Sequence, residues 1–443
     1  MTYALFTYKK ADMYYTTVTL VIFAMILLLI RLKVPLWLSI LAGSILSGLC
    51  FKLGPVQTVL ELFYGSIQLK TIGLMIITIL IISLSHIMNT TGLMNEIVDL
   101  TKQVLRRPVI VMAASPALIG LLPMPGGALF SAPMVKSVAA KAKATPEEMS
   151  AINYWYRHIW EHWWPLYPGV MLAITLTDLS FLSFAIFQIP LGLIMAFTGL
   201  LLFRKTHPNL HKKTARPPTG TKRKLFIAIS PVWVLLLAWL PIDVLLRNIV
   251  SSNSSPGVVI FFHRFAPLIF AMVVTITVTS IIRKVKPKEL LAVLKKKSSW
   301  LMEITVVSVM ILQYIFTVTG ASEKIADELL TFNVPIVLVA AILPLIAGLV
   351  TGLAIGFVGT SFPIVLALVS GLDSPVPLHA YIALAYGFGH LGQMISPIHI
   401  CHIVSNQYFN TSFARVYKKS WPTFLLNFIL VTAYFLFLYN LGT

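Results

Sequence analysis

The sequence predicts an all-α, polytopic membrane protein of about ten transmembrane helices and two re-entrant helical hairpins, arranged as two inverted five-helix repeats. Three observations carry this prediction. The 443 residues are 58% hydrophobic and only 11% charged, with a mean hydropathy of +0.87. Apolar runs of bilayer-spanning length recur along the chain. Prolines and glycines interrupt other apolar runs at corresponding points of the two halves, which is typical of secondary transporters.

Ten apolar segments are each predicted to cross the bilayer. They are residues 14–31, 35–53, 69–89, 148–176, 181–203, 225–249, 257–282, 300–319, 376–405 and 420–440. Two of them, 148–176 and 376–405, contain prolines or glycines near their centres and are predicted to be broken helices. Two further apolar stretches, 108–138 and 335–370, are predicted to be hairpins that return to the side they entered. Irregular backbone survives at membrane depth only where protein or water satisfies its polar groups.

The chain divides into two predicted repeats, residues 1–203 and residues 225–443, joined by a basic cytoplasmic linker at 204–224. Similar residues recur in the same order in both repeats. The matches that share one separation are Gly92 with Gly320, Gly120 with Gly348, and His162 with His390. Each predicted repeat crosses the membrane five times, an odd number. The second repeat is therefore expected to be inverted relative to the first.

The net charge of +19 would suggest a nucleic-acid partner in a soluble protein. Here the basic residues lie in short connections between apolar runs, which is typical of loops beside an anionic lipid bilayer. We therefore expect no nucleic-acid partner. If the predicted crossings alternate and each hairpin returns to its own side, most of the 34 Lys and Arg fall on one side. The positive-inside rule makes that side cytoplasmic and predicts an inner-membrane protein with both termini extracytoplasmic.

The first hairpin has Pro123-Met-Pro-Gly-Gly127 at its centre, and the second has a glycine-rich stretch from Gly348 to Pro363. Helix ends that meet at such tips carry partial charges and can hold an ion without a charged side chain. We therefore predict a substrate site at the tips and the broken helices. Its predicted residues are Pro123, Met124, Pro125, Gly126, Gly127, Ser131, Trp164, Thr351, Gly352, Gly356, Gly359, Thr360, Ser361, Gln393 and Ser396. The alternative is that the small residues only allow tight helix packing.

The broken helices carry ionisable side chains at a depth where such groups are rare and are candidates for function. They are Arg157, His158, Glu161 and His162 in the first broken helix, and His390 in the second. If the first helix is continuous, Arg157 shares a face with Glu161, as does His158 with His162, because each pair is four residues apart. We predict that Arg157 or a histidine contacts an anionic substrate, or that Glu161 and His162 carry protons. The alternative is a purely structural Arg157–Glu161 pair.

The same segment contains His158-Ile-Trp-Glu-His162, which fits the H-x-x-E-H pattern of zinc peptidases. Zinc would require a third protein ligand, and none stands out in the sequence. The two cysteines, Cys50 and Cys401, lie far apart and predict neither a disulfide framework nor a Cys-based metal site. An intramembrane zinc-dependent hydrolase is therefore a minor alternative, and we expect a protein that is not an enzyme and has no cofactor.

Two stretches carry a resemblance to a known family. Leu122 to Pro133, and Arg157 to Glu161 followed by Pro165-Leu-Tyr-Pro-Gly169, are similar to a prokaryotic membrane family, domain of unknown function 401. Over nearly the whole chain the arrangement resembles the ion transporter superfamily, which includes the divalent anion/sodium symporters. The resemblance implies secondary transport, a homodimer, and an elevator-like motion of hairpins and broken helices past a scaffold. The divalent anion branch has Ser-Asn-Thr at both tips, for sodium and the substrate carboxylate, whereas this chain has Pro123-Met-Pro-Gly-Gly127 and Gly359-Thr-Ser361, so the resemblance alone assigns neither sodium coupling nor a dicarboxylate substrate.

We therefore expect a secondary active transporter of a small anionic solute, coupled to protons or to sodium ions and working by alternating access in the lipid bilayer. Acids are sparse within the predicted spans, whereas Arg157 and several histidines are available, which favours an anion over a cation. The alternatives from other functional classes are a lipid scramblase or a channel-like pore.

Overall fold

The computed structural model describes residues 13–105, 108–121, 127–139, 144–203, 217–249, 256–332, 335–370 and 377–441. The described part of the first half contains ten α-helices. They are α1 (Tyr14–Arg31), α2 (Leu36–Cys50), α3 (Pro55–Ser66), α4 (Leu69–Thr90), α5 (Leu93–Val104), α6 (Pro108–Gly120), α7 (Ala128–Ala139), α8 (Pro146–Arg157), α9 (Pro168–Thr177) and α10 (Phe181–Thr198). No strand occurs in any of the described ranges, which confirms the all-helical class.

The described part of the second half contains twelve more α-helices. They are α11 (Thr221–Ala228), α12 (Ser230–Ile249), α13 (Pro256–Ile260), α14 (Ala266–Arg283), α15 (Pro287–Leu291), α16 (Lys297–Val318), α17 (Ala321–Thr331), α18 (Ile336–Thr351), α19 (Ala354–Ser370), α20 (Leu378–Ile395), α21 (Ile400–Tyr408) and α22 (Phe413–Leu441). A π-helical turn, Phe261–Phe265, joins α13 to α14. The short helices α3, α5, α15 and α17 were not predicted from the sequence.

Six helical segments of the described chain are long and apolar enough to cross a membrane, as expected of a multi-pass membrane protein. They are Tyr14–Arg31, Leu69–Thr90, Phe181–Phe203, Gly257–Arg283, Lys297–Val318 and Phe413–Leu441. Helices α11 and α12 meet at a bend of 55° and together would make a seventh. The other three predicted spans are α2, which has 15 residues, and the two broken helices. The total of ten crossings therefore stays a prediction.

The order of elements is the same in the two halves from α4 to α10 and from α16 to α22. In each half a long helix is followed by a short one, then by a helix pair, a broken helix and a final helix. Gly92 and Gly320 stand at the same point in this order, directly after the long helix. Both have a left-handed backbone, with φ of 69° and 60°, a conformation that glycine adopts without strain.

The helices pack in two groups. In the first, which we call the scaffold group, α16 packs on α2, α3 and α4, α4 packs on α14, and α14 packs on α12. The second, the hairpin group, consists of α6 to α10 and α18 to α22. In it, α6 and α7 pack on α8, α18 and α19 pack on α20, and α21 packs on α7 and α8. The groups meet where α19 packs on α16 and where α9 packs on α4.

The two predicted hairpin stretches each contain a pair of short apolar helices. In the first, residues 122–126, which include Pro123, Met124, Pro125 and Gly126, lie outside the described residues. In the second, α18 ends at Thr351, Gly352 is left-handed with φ of 63°, and α19 begins at Ala354. The break is therefore confined to two residues. The glycines that follow it lie inside a regular helix.

Candidate functional site

Helix α8, the first half of the first broken helix, starts with a capping box and ends at Arg157. The Thr145 side chain accepts a hydrogen bond from the amide of Glu148, whose carboxylate in turn accepts one from the Thr145 amide. The expectation that Arg157 and Glu161 share a helix face is wrong, and so is that for His158 and His162, because residues 158–164 form turns rather than helix.

Proline keeps the first broken helix from continuing through the break. A helix through Pro165 would place its ring against the carbonyl of Glu161, four residues earlier, and would lose that hydrogen bond. The freed carbonyl oxygen of Glu161 accepts instead from the hydroxyl of Tyr386, on the second broken helix, at 2.7 Å. Pro168 then starts α9 as its first residue. The two broken helices are thus joined at the point where the first one is interrupted.

Aromatic side chains from this break satisfy carbonyls at the end of α6, which would otherwise lack partners inside the protein. Trp160 Nε1 donates to the Ala117 carbonyl at 2.7 Å, Trp164 Nε1 donates to the Leu121 carbonyl at 2.8 Å, and the Tyr167 hydroxyl donates to the Gly120 carbonyl. In the second half, Ser396 Oγ donates to the Leu349 carbonyl of α18 at 2.7 Å. Each broken helix is therefore docked on the end of the first helix of its hairpin.

Glycine allows this docking, and the contact predicts a stability effect. A Cβ at Gly120 would collide with the carbonyl oxygen of Arg157, and one at Gly348 would collide with that of Gly389. Because both obstacles are backbone atoms, we expect Gly120→Ala and Gly348→Ala each to lower the free energy of unfolding by about 1–3 kcal/mol. Thermal unfolding of the purified protein in detergent measures this. The control is Gly257→Ala, whose Cβ would have only a leucine methyl at 3.3 Å. Melting temperatures equal to the wild type in both test variants would contradict the close docking.

Buried polar side chains meet around Glu161. Gln393 Nε2 donates to Glu161 Oε2 at 2.7 Å, and His390 Nε2 lies 3.6 Å from the same oxygen. His158 Nε2 lies 3.8 Å from the other oxygen, Oε1. The ring of His162 packs on that of His390, with centroids 4.1 Å apart. All five side chains are buried, so one carboxylate lies among three histidines in a dry environment.

Gly127 is the residue of the predicted first tip that the structure describes, and Arg157 lies beside it. Its side chain is 2% exposed, and a Cβ at Gly127 would collide with its guanidinium group. The absence of a side chain at Gly127 therefore lets the guanidinium reach the backbone of the tip. Ser131, one turn further along α7, donates from Oγ to Asn153 Oδ1 at 2.6 Å, and Asn153 Nδ2 donates to Ser405 Oγ at 2.8 Å. These bonds join α7, α8 and α21.

The predicted hydroxyl residues of the second hairpin bond to their own helices. Thr351 Oγ1 donates to the Ala347 carbonyl at 2.7 Å, Thr360 Oγ1 to the Gly356 carbonyl at 2.8 Å, and Ser361 Oγ to the Phe357 carbonyl at 2.6 Å. Gly352 does approach the second break, since its Cβ would lie 3.1 Å from both Ser396 Oγ and the His399 amide nitrogen. Gly359 faces Val309 of the scaffold group instead. We call the region where the two broken helices meet the junction. Four candidates of the second repeat lie there: Gly352, His390, Gln393 and Ser396.

A second group of side chains at the junction was not predicted. His158 does not pair with His162 as the H-x-x-E-H pattern would require; its Nε2 lies 3.1 Å from His399 Nε2. Cys401 completes the group, and the three candidate ligand atoms lie within 4.8 Å of one another. The sequence did show histidine and cysteine two residues apart in the second break, but nothing in it indicated that His158 lies beside them.

Comparison with known proteins identifies the family. A family model described as a protein of unknown function, DUF401, matches residues 16–438. The chain belongs to the DUF401 family. This confirms the family resemblance found in the sequence. No curated protein matches this DUF401 chain in sequence.

A solved structure shares the fold of this DUF401 protein. It is the crystal structure of the YdaH transporter from Alcanivorax borkumensis, which is described as having an unusual topology. The two superpose with a TM-score of 0.59 at 14% sequence identity, and the match covers 87% of this chain and 88% of that chain. At this level of identity the similarity is one of fold.

Proposed function

We propose that this DUF401 protein is a secondary active transporter of a small anionic solute in the cell inner membrane. The observation that carries the proposal is the junction of two broken helices, each docked on a hairpin, around buried ionisable side chains. Broken helices that meet around a polar site are typical of secondary transporters. The shared fold with a protein described as a transporter supports the proposal, and so does the resemblance to the ion transporter superfamily.

Arg157 is the residue to which we assign the anion. A guanidinium group offers paired N–H donors that match a carboxylate or phosphate, and its charge is worth most where water is excluded. Arg157 is buried and lies against Gly127, at the described edge of the tip that the sequence predicts as half of the substrate site.

Alternating access would come from movement of the hairpin group against the scaffold group, in an elevator-like manner. The repeated order of elements supports two inverted repeats, residues 1–203 and 225–443. The basic linker 204–224 would then be cytoplasmic, and both termini would be extracytoplasmic. The scaffold group would form the homodimer. Coupling would use protons on the Glu161 and histidine cluster, or sodium ions on carbonyl oxygens of the tips.

A ligand screen followed by transport assays tests the proposal. The purified protein is heated with small carboxylates, phosphates, sulfates and sulfonates, with and without sodium and at several pH values. We expect one class of anion to raise the melting temperature, because a ligand stabilises the folded state that it binds. That anion should then show saturable uptake into proteoliposomes, driven by a proton or a sodium gradient. Flux that does not saturate, or lipid flipping without solute flux, would overturn the proposal.

A further inference from the structure

We propose that His158, His399 and Cys401 form a binding site for a transition-metal ion that prefers nitrogen and sulfur ligands, such as Zn²⁺. The His158 and His399 Nε2 atoms are 3.1 Å apart, and the candidate ligand atoms of all three residues lie within 4.8 Å of one another. Two imidazole nitrogens and one thiolate sulfur at this spacing suit a tetrahedral ion with metal–ligand distances of about 2.0–2.3 Å. The inference does not depend on transport.

The surroundings of His158 prepare its Nε2 atom for a metal. His158 Nδ1 lies 2.6 Å from the carbonyl oxygen of Tyr154, so it is Nδ1 that carries the proton and donates it to that oxygen. Nε2 then presents its lone pair towards His399 and Cys401. A second hydrogen bond of this kind, which fixes the tautomer and the ring direction, is typical of histidines that bind metals. The Tyr154 ring also packs edge-on against both histidine rings.

Without a metal, the two Nε2 atoms can share one hydrogen bond. Only one of the two Nε2 atoms can donate, so His399 must supply the proton if His158 keeps the tautomer set by Tyr154. His399 Nδ1 is buried and has no hydrogen-bond partner among the described residues. A metal ion between the two rings would use both Nε2 lone pairs and would leave His399 Nδ1 as the protonated nitrogen.

The charges around the group suit a bound cation once Cys401 has lost its proton. Cys401 lies in the first turn of α21, a helix of 9 residues, and its thiolate is the form that would bind the ion. The guanidinium of Arg157, which interacts with Cys401, repels a cation. The Glu161 carboxylate, 3.8 Å from His158 Nε2, offsets that repulsion. Metal binding would release the thiol proton, and the three ligands would leave a fourth position for water or a solute.

The place of the site in the fold gives it a role. His158 follows the last residue of α8 at the first break, whereas His399 caps the start of α21 at the second break. An ion held by all three residues would link the two broken helices across 241 residues of chain. Each ligand lies in or next to irregular backbone, so the ion would fix the relative positions of the two breaks.

Cobalt spectroscopy tests the site without any substrate. The full chain is purified without a polyhistidine tag, treated with a chelator, and titrated with Co²⁺, which occupies zinc sites and absorbs strongly when a thiolate coordinates it. We expect a thiolate-to-cobalt charge-transfer band that saturates at one ion per chain and disappears when Zn²⁺ is added. We expect Cys401→Ser to remove the band, and His158→Gln or His399→Gln to weaken Co²⁺ binding.

The chain provides a matched control because it has only two cysteines, and Cys50 lies at the end of α2. Cys50→Ser should keep the full band, and His379→Gln should keep the Co²⁺ affinity. Gel filtration and thermal unfolding in chelator show which variants are folded, and the two histidine variants keep the test decisive if Cys401→Ser does not fold. A folded wild type without the band would overturn the proposal. A band that survives in Cys401→Ser, or that is lost in Cys50→Ser, would overturn it as well.

Discussion

Replacing Arg157 by glutamine is expected to weaken binding of the transported anion at least about 30-fold. Removing one partner of a buried, hydrogen-bonded charge pair costs about 2–5 kcal/mol, and each 1.4 kcal/mol is a factor of ten in affinity. Arg157 is 2% exposed, so water would not replace the lost charge and donors. The measurement is a titration of the melting temperature with the anion that the screen identifies, followed by uptake into proteoliposomes.

Two further variants make the Arg157 result interpretable. Arg157→Lys keeps the positive charge but loses the paired donors, so we expect an intermediate loss of affinity. Arg283→Gln is the matched control, because Arg283, at the end of α14 in the scaffold group, places Nη1 2.6 Å from Glu96 Oε2 and has a side chain 20% exposed. It should leave affinity unchanged. An Arg157→Gln protein that binds the anion as tightly as the wild type would place the anion elsewhere.

The sequence predicted the interrupted elements well, because proline and glycine act locally. The first break contains Pro165 and ends where Pro168 starts α9, and the turn after α18 follows from Gly352, whose backbone is left-handed. Both breaks, residues 158–167 and 396–399, lie within the predicted segments 148–176 and 376–405, and the outer ends of the broken helices, at Pro146, Thr177, Leu378 and Tyr408, lie within three residues of the predicted ends. A residue that lacks an amide donor or a Cβ changes the backbone wherever it occurs, so its effect can be read without knowledge of the packing.

The details of the site depend on tertiary contacts and could not be predicted in the same way. Four-residue spacing suggested an Arg157–Glu161 pair, but the helix ends at Arg157, and Gln393 donates to Glu161 instead. The hydroxyls of Thr360 and Ser361 looked available for a substrate, yet each bonds to a carbonyl of its own helix. Such bonds satisfy a hydroxyl locally in an apolar setting, and sequence alone does not distinguish this use from binding.

A disulfide between α16 and α19 is expected to stop transport, because it would tie the hairpin group to the scaffold group. The ideal Cβ position of Gly359 lies 3.5 Å from Val309 Cβ, within the range of about 3.5–4.5 Å that disulfides require. Replacing Val309 by cysteine also removes the methyl group that would collide with a new side chain at position 359. In a Cys50→Ser background, the Val309→Cys/Gly359→Cys protein should lose uptake to background when oxidised and regain it when reduced.

A cross-link inside the scaffold group separates blocked movement from general damage. The Cβ position of Gly48, on α2, lies 3.2 Å from Thr58 Cβ, on α3, so a shift of a few tenths of an ångström brings the pair into the disulfide range. Gly48→Cys/Thr58→Cys should form a disulfide in the same background and keep its uptake when oxidised, because the two helices would move together in an elevator-like cycle. If the α16–α19 disulfide forms completely and uptake continues, the hairpin group does not move past α16. If both disulfides stop uptake alike, the loss does not report movement between the groups.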